Sequence, residues 1–283
     1  MNNIGGLRDK MPAVRTVVAI VNQKGGVGKS TTAINLAAYL AGKGEKILVV
    51  DMDPQGNATS GLGVTPGPEG CMYDVLLEGK PLQDVAVETE VTGLEVAPAT
   101  INLVGAEVEL VSSLAREYKL QRALKKLPPQ SYDRVLLDCP PSLDLLTLNA
   151  LTAADEVLIP IQCEYYALEG LSQLLGTVRM IQKHLNPRLT LSTILLTMYD
   201  GRTRLAQQVA EEVREHFPKE VLTTVIPRSV RVSEAPSFGQ TVIAYDGQSA
   251  GAIAYREAAV EIIRRDLAAD SEGESAWPQS EQA

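Results

Sequence analysis

Short runs of aliphatic and β-branched residues alternate along this chain with longer segments whose apolar residues recur at three- and four-residue steps. The runs Val17–Val21, Lys46–Val50, Leu94–Ala97, Arg134–Asp138, Glu156–Ile161, Leu191–Thr197 and Val221–Ile226 read as strands. The segments Thr32–Leu40, Tyr73–Leu77, Leu145–Ala153, Leu168–His184, Leu205–Phe217 and Ser249–Leu267 read as helices. A further long amphipathic helix is predicted over Leu103–Leu127, with Val104, Val108, Val111, Leu114 and Tyr118 on its apolar stripe and Pro128-Pro129 as its stop. Strands separated by helices favour one parallel sheet, and right-handed crossovers wind it in both directions. The fold class is therefore α/β, a single doubly wound, mostly parallel sheet flanked by helices. With no internal repeat and no interdomain linker, the chain divides into a flexible leader, 1–15, one domain, 16–267, and an acidic disordered tail, 268–283.

Composition narrows the setting. At 283 residues the chain can bury a sizeable core. No apolar run approaches the roughly 18 residues of a membrane span, and Met1–Arg15 lacks the apolar core of a signal peptide. Cys71, Cys139 and Cys163 offer neither an even disulfide count nor metal-ligand spacing, so a reduced, cytoplasmic protein is expected. The net charge of −9 would repel nucleic acid if spread evenly, but it is not. Asp266, Asp270, Glu272, Glu274 and Glu281 crowd the end without a lysine or arginine after Arg265, whereas Arg202, Arg204, Arg228 and Arg231 fall in two short segments of the last third. A local basic patch on an acidic protein is compatible with that distribution.

The chemistry concentrates in Lys24-Gly25-Gly26-Val27-Gly28-Lys29-Ser30-Thr31, between the first strand and the first helix. In a phosphate loop, backbone N–H groups wrap the phosphates, a lysine reaches the β and γ oxygens, and a hydroxyl coordinates Mg²⁺. Lys29 and Ser30 fill those roles, and the helix that follows adds its N-terminal dipole. Gln23 stands where the leading glycine is usual, and Lys24 is an additional cation. Two lysines would crowd one γ-phosphate unless one faced outward, and an outward Lys24 would serve a neighbouring subunit's nucleotide, although a merely solvated lysine is the alternative. Asn22 and Gln23 are lesser candidates for contact with nucleotide or with water on Mg²⁺.

Carboxylates arrive at the same edge. The second strand delivers Asp51 and Asp53, and Arg134–Asp138 ends an apolar run on an acid, as the carboxylate assisting Mg²⁺ does in such folds. Asp53 could simply cap the turn at Pro54. Beside a phosphate loop it is instead assigned to orienting the attacking water, with Asp51 supporting the metal.

Five segments together resemble the ParA/Soj chromosome- and plasmid-partitioning ATPases of the deviant Walker A class: Lys24–Thr31, Asp51–Thr59, Leu137–Ser142, Leu196–Thr203 and Ile226–Ser237. The resemblance runs from about Thr16 to Leu267. It implies ATP and Mg²⁺ as ligands and a homodimer that sandwiches two nucleotides, with Lys24 reaching into the partner. It further implies nonspecific binding of double-stranded DNA, and hydrolysis stimulated by a ParB/Spo0J-like centromere-binding protein on the nucleoid. By the same resemblance Arg202 and Arg231 fall on DNA-contact positions, and the adenine pocket falls near Met198, Pro227, Arg228 and Val230. Ser30 stands where threonine is common, and either hydroxyl can bind Mg²⁺. The acidic tail is unlike the basic amphipathic helix of membrane-gripping MinD-like members, which argues against a membrane role. A MinD-like positioning protein and a small-molecule ligase on the same fold are the alternatives.

Overall fold

The computed structural model describes residues 14–274, so most of the expected leader and the end of the expected acidic tail lie outside the described residues. Eight strands form one sheet in the order β3-β4-β2-β5-β1-β6-β7-β8. They are β1 Val14–Ile20, β2 Ile47–Asp51, β3 Val87–Glu88, β4 Leu94–Ala97, β5 Tyr132–Asp138, β6 Glu156–Gln162, β7 Thr190–Tyr199 and β8 Val221–Pro227. All pairings are parallel except β3 with β4. The two-residue β3 was not expected; it closes one edge antiparallel. β1 lies between β5 and β6, the place where strand order reverses and where ligands gather in open α/β sheets.

Alternate residues of β1 enter different cores. Val17, Ala19 and Val21 pack on one face, against α5 (Leu145–Ala153) and α6 (Ala167–His184), and Val18 and Ile20 pack on the other. The second face is covered by α1 (Lys29–Ala41) and the closing helix α10 (Ala250–Glu274). Because α1 is wedged between sheet and α10, its polar Thr32 and Asn35 are buried as well. Asn35 satisfies itself by donating to the Thr31 carbonyl at 2.8 Å and accepting the Val242 N–H at 2.8 Å, and the Thr32 and Tyr255 hydroxyls share a contact of 3.3 Å. The strand begins at Val14 and α10 continues to Glu274, so regular structure extends past both expected domain limits.

The long helix expected over 103–127 is two helices. α3 (Leu103–Leu110) stops, Ala115 takes a left-handed conformation with φ 50°, a 3-10 turn covers Arg116–Tyr118, and α4 (Lys119–Lys125) follows. Asn149 of α5 explains the break: its amide donates to the Arg116 carbonyl at 2.9 Å and its oxygen accepts the Leu120 N–H at 3.2 Å, capturing backbone groups that a continuous helix would use. The stripe is also corrected. Leu103, Ala106 and Leu110 are buried, whereas Val104, Val108, Val111 and Leu114 are exposed. Beyond β8 the chain adds α8 (Val230–Glu234) and α9 (Val242–Asp246), which no periodicity indicated.

β8 is an edge strand, and its unpaired backbone is covered by side chains rather than by another strand. The Glu261 carboxylate accepts the Thr223 and Thr224 N–H groups at 2.8 and 3.0 Å, while Arg265 donates to the carbonyls of Lys219, Glu220 and Val221. The Glu261→Ala change should cost about 1.5–3 kcal/mol, the range for hydrogen bonds to charged groups. Thermal unfolding should show a midpoint a few degrees lower, and an unchanged midpoint would mean that water satisfies this edge equally well.

Candidate nucleotide site

The loop leaving β1 is anchored from two sides. Asn22 donates from its amide to the Pro160 carbonyl at 2.7 Å and accepts the Lys24 N–H at 3.0 Å. Asn22 thus acts on the loop itself. Further on, the Thr197 hydroxyl at the end of β7 donates to the Val27 carbonyl at 2.8 Å. Gly26 and Gly28 sit at φ 73° and 91°, conformations in which a side chain would be strained. The main-chain N–H groups of Gly28, Lys29, Ser30 and Thr31 donate to nothing among the described residues. They open α1, so unsatisfied donors and the positive end of a helix coincide, as an anion requires.

Lys29 is buried and its ammonium donates to the Lys24 carbonyl at 3.3 Å. Burial lowers its pKa, against the opposing pull of Asp138, Cys139 and Asp53. Lys24 points elsewhere. Half-exposed, its amine pairs with Glu164 in the loop after β6. The two lysines therefore diverge from one loop, one inward and one outward.

Strand register brings the acids together. Asp51 of β2 is level with Asp138 of β5, and Asp138 is level with Ile20 at the end of β1. Asp51 is fully buried, yet its oxygens accept the Asp53 N–H at 3.1 Å, the Thr59 N–H at 2.8 Å and the Thr59 hydroxyl at 2.7 Å. Burial raises its pKa to about 6, with the Thr59 hydrogen bonds opposing. Asp53 accepts the Gln55 N–H at 2.9 Å on one oxygen, and the other oxygen has no hydrogen bond among the described residues. Asp138 is different: it is fully buried and, among the described residues, neither carboxylate oxygen has a hydrogen-bond partner. Burial first, then the neighbouring charge of Asp51, drives its pKa well up, with Ser30 and Lys29 opposing. A buried carboxylate without partners, next to a helix-opening hydroxyl, is a donor set that a hard divalent cation fits.

The other expected residues sit at the neighbouring strand ends. Met198, next to last in β7, sits at φ 49°, an outlier for a long side chain, and Pro227 is paired in register with Tyr199. The Arg228 N–H donates to the Tyr199 carbonyl at 3.2 Å, and Val230 is exposed. The adenine-pocket candidates are thus contiguous along the ends of β7 and β8. Arg202 and Arg231 are exposed but not unpaired. Arg202 grips Asp200 with two bonds of 2.8 and 2.7 Å, and Arg231 contacts Glu234 at 3.0 Å and Asp246 at 3.4 Å.

A family model described as an AAA domain matches residues 15–191. The sporulation initiation inhibitor protein Soj of Bacillus subtilis is 57% identical over 247 residues, 87% of this chain and 97% of that protein. The chromosome partitioning protein ParA of Myxococcus xanthus is 54% identical over 89% of both chains. The chain belongs to the Soj/ParA family of chromosome-partitioning ATPases. Among solved structures, cobyrinic acid a,c-diamide synthase from Mycobacterium smegmatis with bound ATP analog and magnesium superposes with a TM-score of 0.76 at 41% identity, covering 88% of this chain and 94% of that one. The same P-loop architecture thus underlies this Soj/ParA chain and that neighbour.

In this Soj/ParA member, Thr197, Thr59 and Glu164 are the residues that sequence reasoning missed. Thr59 and Thr197 carried a signal, lying in the Asp51–Thr59 and Leu196–Thr203 segments, whereas Glu164 carried none. Neutralising Asp138 while keeping its shape, Asp138→Asn, should raise the melting temperature of the ligand-free protein at pH 8 by a few degrees. An acid whose pKa is raised by folding destabilises the fold at pH values above its ordinary, unfolded pKa, so the gain should shrink as the pH falls toward 5. Calorimetry in a chelating buffer at the two pH values measures both effects.

Proposed function

We propose that this chain is an ATP-driven DNA-segregation switch. MgATP occupies the loop Lys24–Thr31, two copies close face to face, and the closed pair holds double-stranded DNA without sequence preference. Hydrolysis, stimulated by a ParB/Spo0J-like centromere-binding protein, then releases it within the cytoplasm, on the nucleoid. The observation that carries this reading is the divergence of the two lysines: Lys29 is buried among acids, and Lys24 is held half-exposed on the rim.

Gly25, Gly26, Val27, Gly28 and Thr31 supply the backbone cradle for the phosphates, and Lys29 leaves the Lys24 carbonyl to reach them. Ser30 and Asp138 would hold Mg²⁺, and Asp51, with lone pairs left after its three hydrogen bonds, supports it. Bound there, Mg²⁺ neutralises charge at the phosphate oxygens. Asp53 presents its unengaged oxygen to water and orients it in line, because phosphoryl transfer depends on position and electrostatics more than on covalent chemistry. Met198, Pro227, Arg228 and Val230 bracket the base. Lys24 stabilises transition-state charge across the seam, as an arginine finger does in trans.

Arg202 and Arg231 face DNA. Each is already countered by a carboxylate, so one subunit's patch is weak, and pairing two subunits doubles the phosphates contacted. Each neutralised phosphate contributes about −0.9 to the logarithmic salt slope. Plasmid DNA should therefore shift with ATP at low salt, but not with ADP or without nucleotide. Arg231→Glu should abolish the shift with nucleotide affinity intact; equal binding in all three nucleotide states would refute the switch and favour a small-molecule ligase.

Size exclusion with ATP tests the site assignments. Lys29→Ala should lose nucleotide. Lys24→Ala should bind ATP and hydrolyse it poorly, by a factor on the order of 10³ if it acts like a finger. Asp53→Ala should accumulate as a dimer on DNA; a persistently monomeric Asp53→Ala contradicts the scheme.

A further inference from the structure

Glu164 lies in the loop joining β6 to α6, and the chain reaches Lys24's side only through the fold, 140 residues apart in sequence. The loop is drawn there by Asn22, which ties the base of the phosphate loop to Pro160 of β6. Glu164's own backbone is fixed independently: its N–H donates to the Gln162 carbonyl at 2.8 Å and its carbonyl accepts the Ala167 N–H at 3.0 Å. The side chain is thus free of any structural duty except the ion pair. Among the described residues Lys24 is its one ion-pair partner, and it is Lys24's. Lys24's carbonyl is also occupied, by Lys29. The outward lysine is therefore fastened at both ends within its own subunit.

We infer that Glu164 is a positioning residue that parks the Lys24 amine on its own subunit until the triphosphate of a second copy displaces it. The inference rests on the proposed face-to-face closure. For Lys24 to act across the seam, its pair with Glu164 must break, and that cost falls on the dimerisation step. Side-chain exposure of 52% for Lys24 and 43% for Glu164 keeps the pair weak. Exposed pairs are worth at most about fivefold each, so two per dimer hold back closure by up to about 25-fold. A dense triphosphate charge outcompetes a single carboxylate, whereas a diphosphate, lacking the γ group, competes less well. Nucleotide loading contributes to the same release, because Lys29 must leave the Lys24 carbonyl to engage phosphate. Glu164 thus sets the threshold at which a loaded subunit closes, acting through its pair with Lys24.

The test compares the full-length wild type, Glu164→Gln and Glu164→Ala by sedimentation velocity over a range of protein concentrations, with Mg²⁺ and a slowly hydrolysed ATP analogue. Fluorescent-nucleotide binding at dilute protein reports the single subunit. Both variants are expected to dimerise about 2- to 25-fold more tightly than wild type, the range that losing one exposed pair per subunit allows, with single-subunit nucleotide affinity unchanged. The amide keeps the side chain's shape and alanine removes it, so agreement between the two variants assigns the effect to charge. Dimerisation that is unchanged or weaker in Glu164→Gln, while the wild type dimerises, overturns the parking role and leaves the proposed closure standing. A wild type that stays monomeric overturns the closure itself, and the parking role with it.

Discussion

The structure is organised around charge that folding alone leaves uncompensated. Three carboxylates and an ammonium converge at the carboxyl ends of β2, β5 and the loop after β1, in a region where Asp51 and Asp138 have no exposed surface. Asp51 is satisfied by Thr59 and the backbone, but Asp138 is not. Removing a carboxylate from water without hydrogen bonds is among the most unfavourable arrangements a fold can contain, and its persistence calls for a ligand that restores what water supplied. The N–H groups from Gly28 to Thr31, unpaired among the described residues, are the complementary deficit, wanting an anion. One ligand carrying both a polyanion and a divalent cation answers both, which is why affinity for that ligand and rigidity of the site come from the same residues.

The sheet makes this arrangement nearly unavoidable. Parallel strands deliver their last residues to one edge, and the reversal of strand order at β1 opens a crevice between the crossovers on either side. Register then places Asp138 beside both Asp51 and the end of β1 without any long-range search by the side chains. Thr197 extends the same logic: β7, two strands away, ends at the level where its hydroxyl meets the Val27 carbonyl.

Much of this was legible because the signals are local. Gly26 and Gly28 mark backbone conformations other residues avoid, and Asp51 and Asp138 each end an apolar run, so loop, carboxylates and sheet class followed from short windows. The failures share the opposite property. On α3 two apolar stripes compete, one through Val104, Val108 and Val111 and another through Leu103, Ala106 and Leu110; periodicity cannot choose between them. The second is buried, and it contains the small Ala106 that permits close approach. Asn149 breaks the helix from an element nearly thirty residues later, Glu261 caps an edge strand almost forty residues earlier, and Glu164 meets Lys24 from the end of the adjacent strand, 140 residues away in sequence. Such partners are decided by topology and leave no trace in a local window.

The exposed arginines carry the same lesson to the outer surface. Arg202 and Arg231 would be read from sequence as free positive charge, yet each is bonded to an acid a few residues away, and Arg231 also lies 6.0 Å from the Tyr245 ring centre. A phosphate arriving at either must displace a carboxylate, so its gain is the difference between two similar charge-assisted contacts rather than a whole one. A single subunit built this way has little grip on a polyanion, consistent with the net charge of −9. Grip accumulates only when several such sites act on one strand at once, because linked contacts multiply while individual ones stay weak. For the proposed assembly-dependent DNA contact, neutralised arginines are better suited than bare ones, which would hold a polyanion in every state.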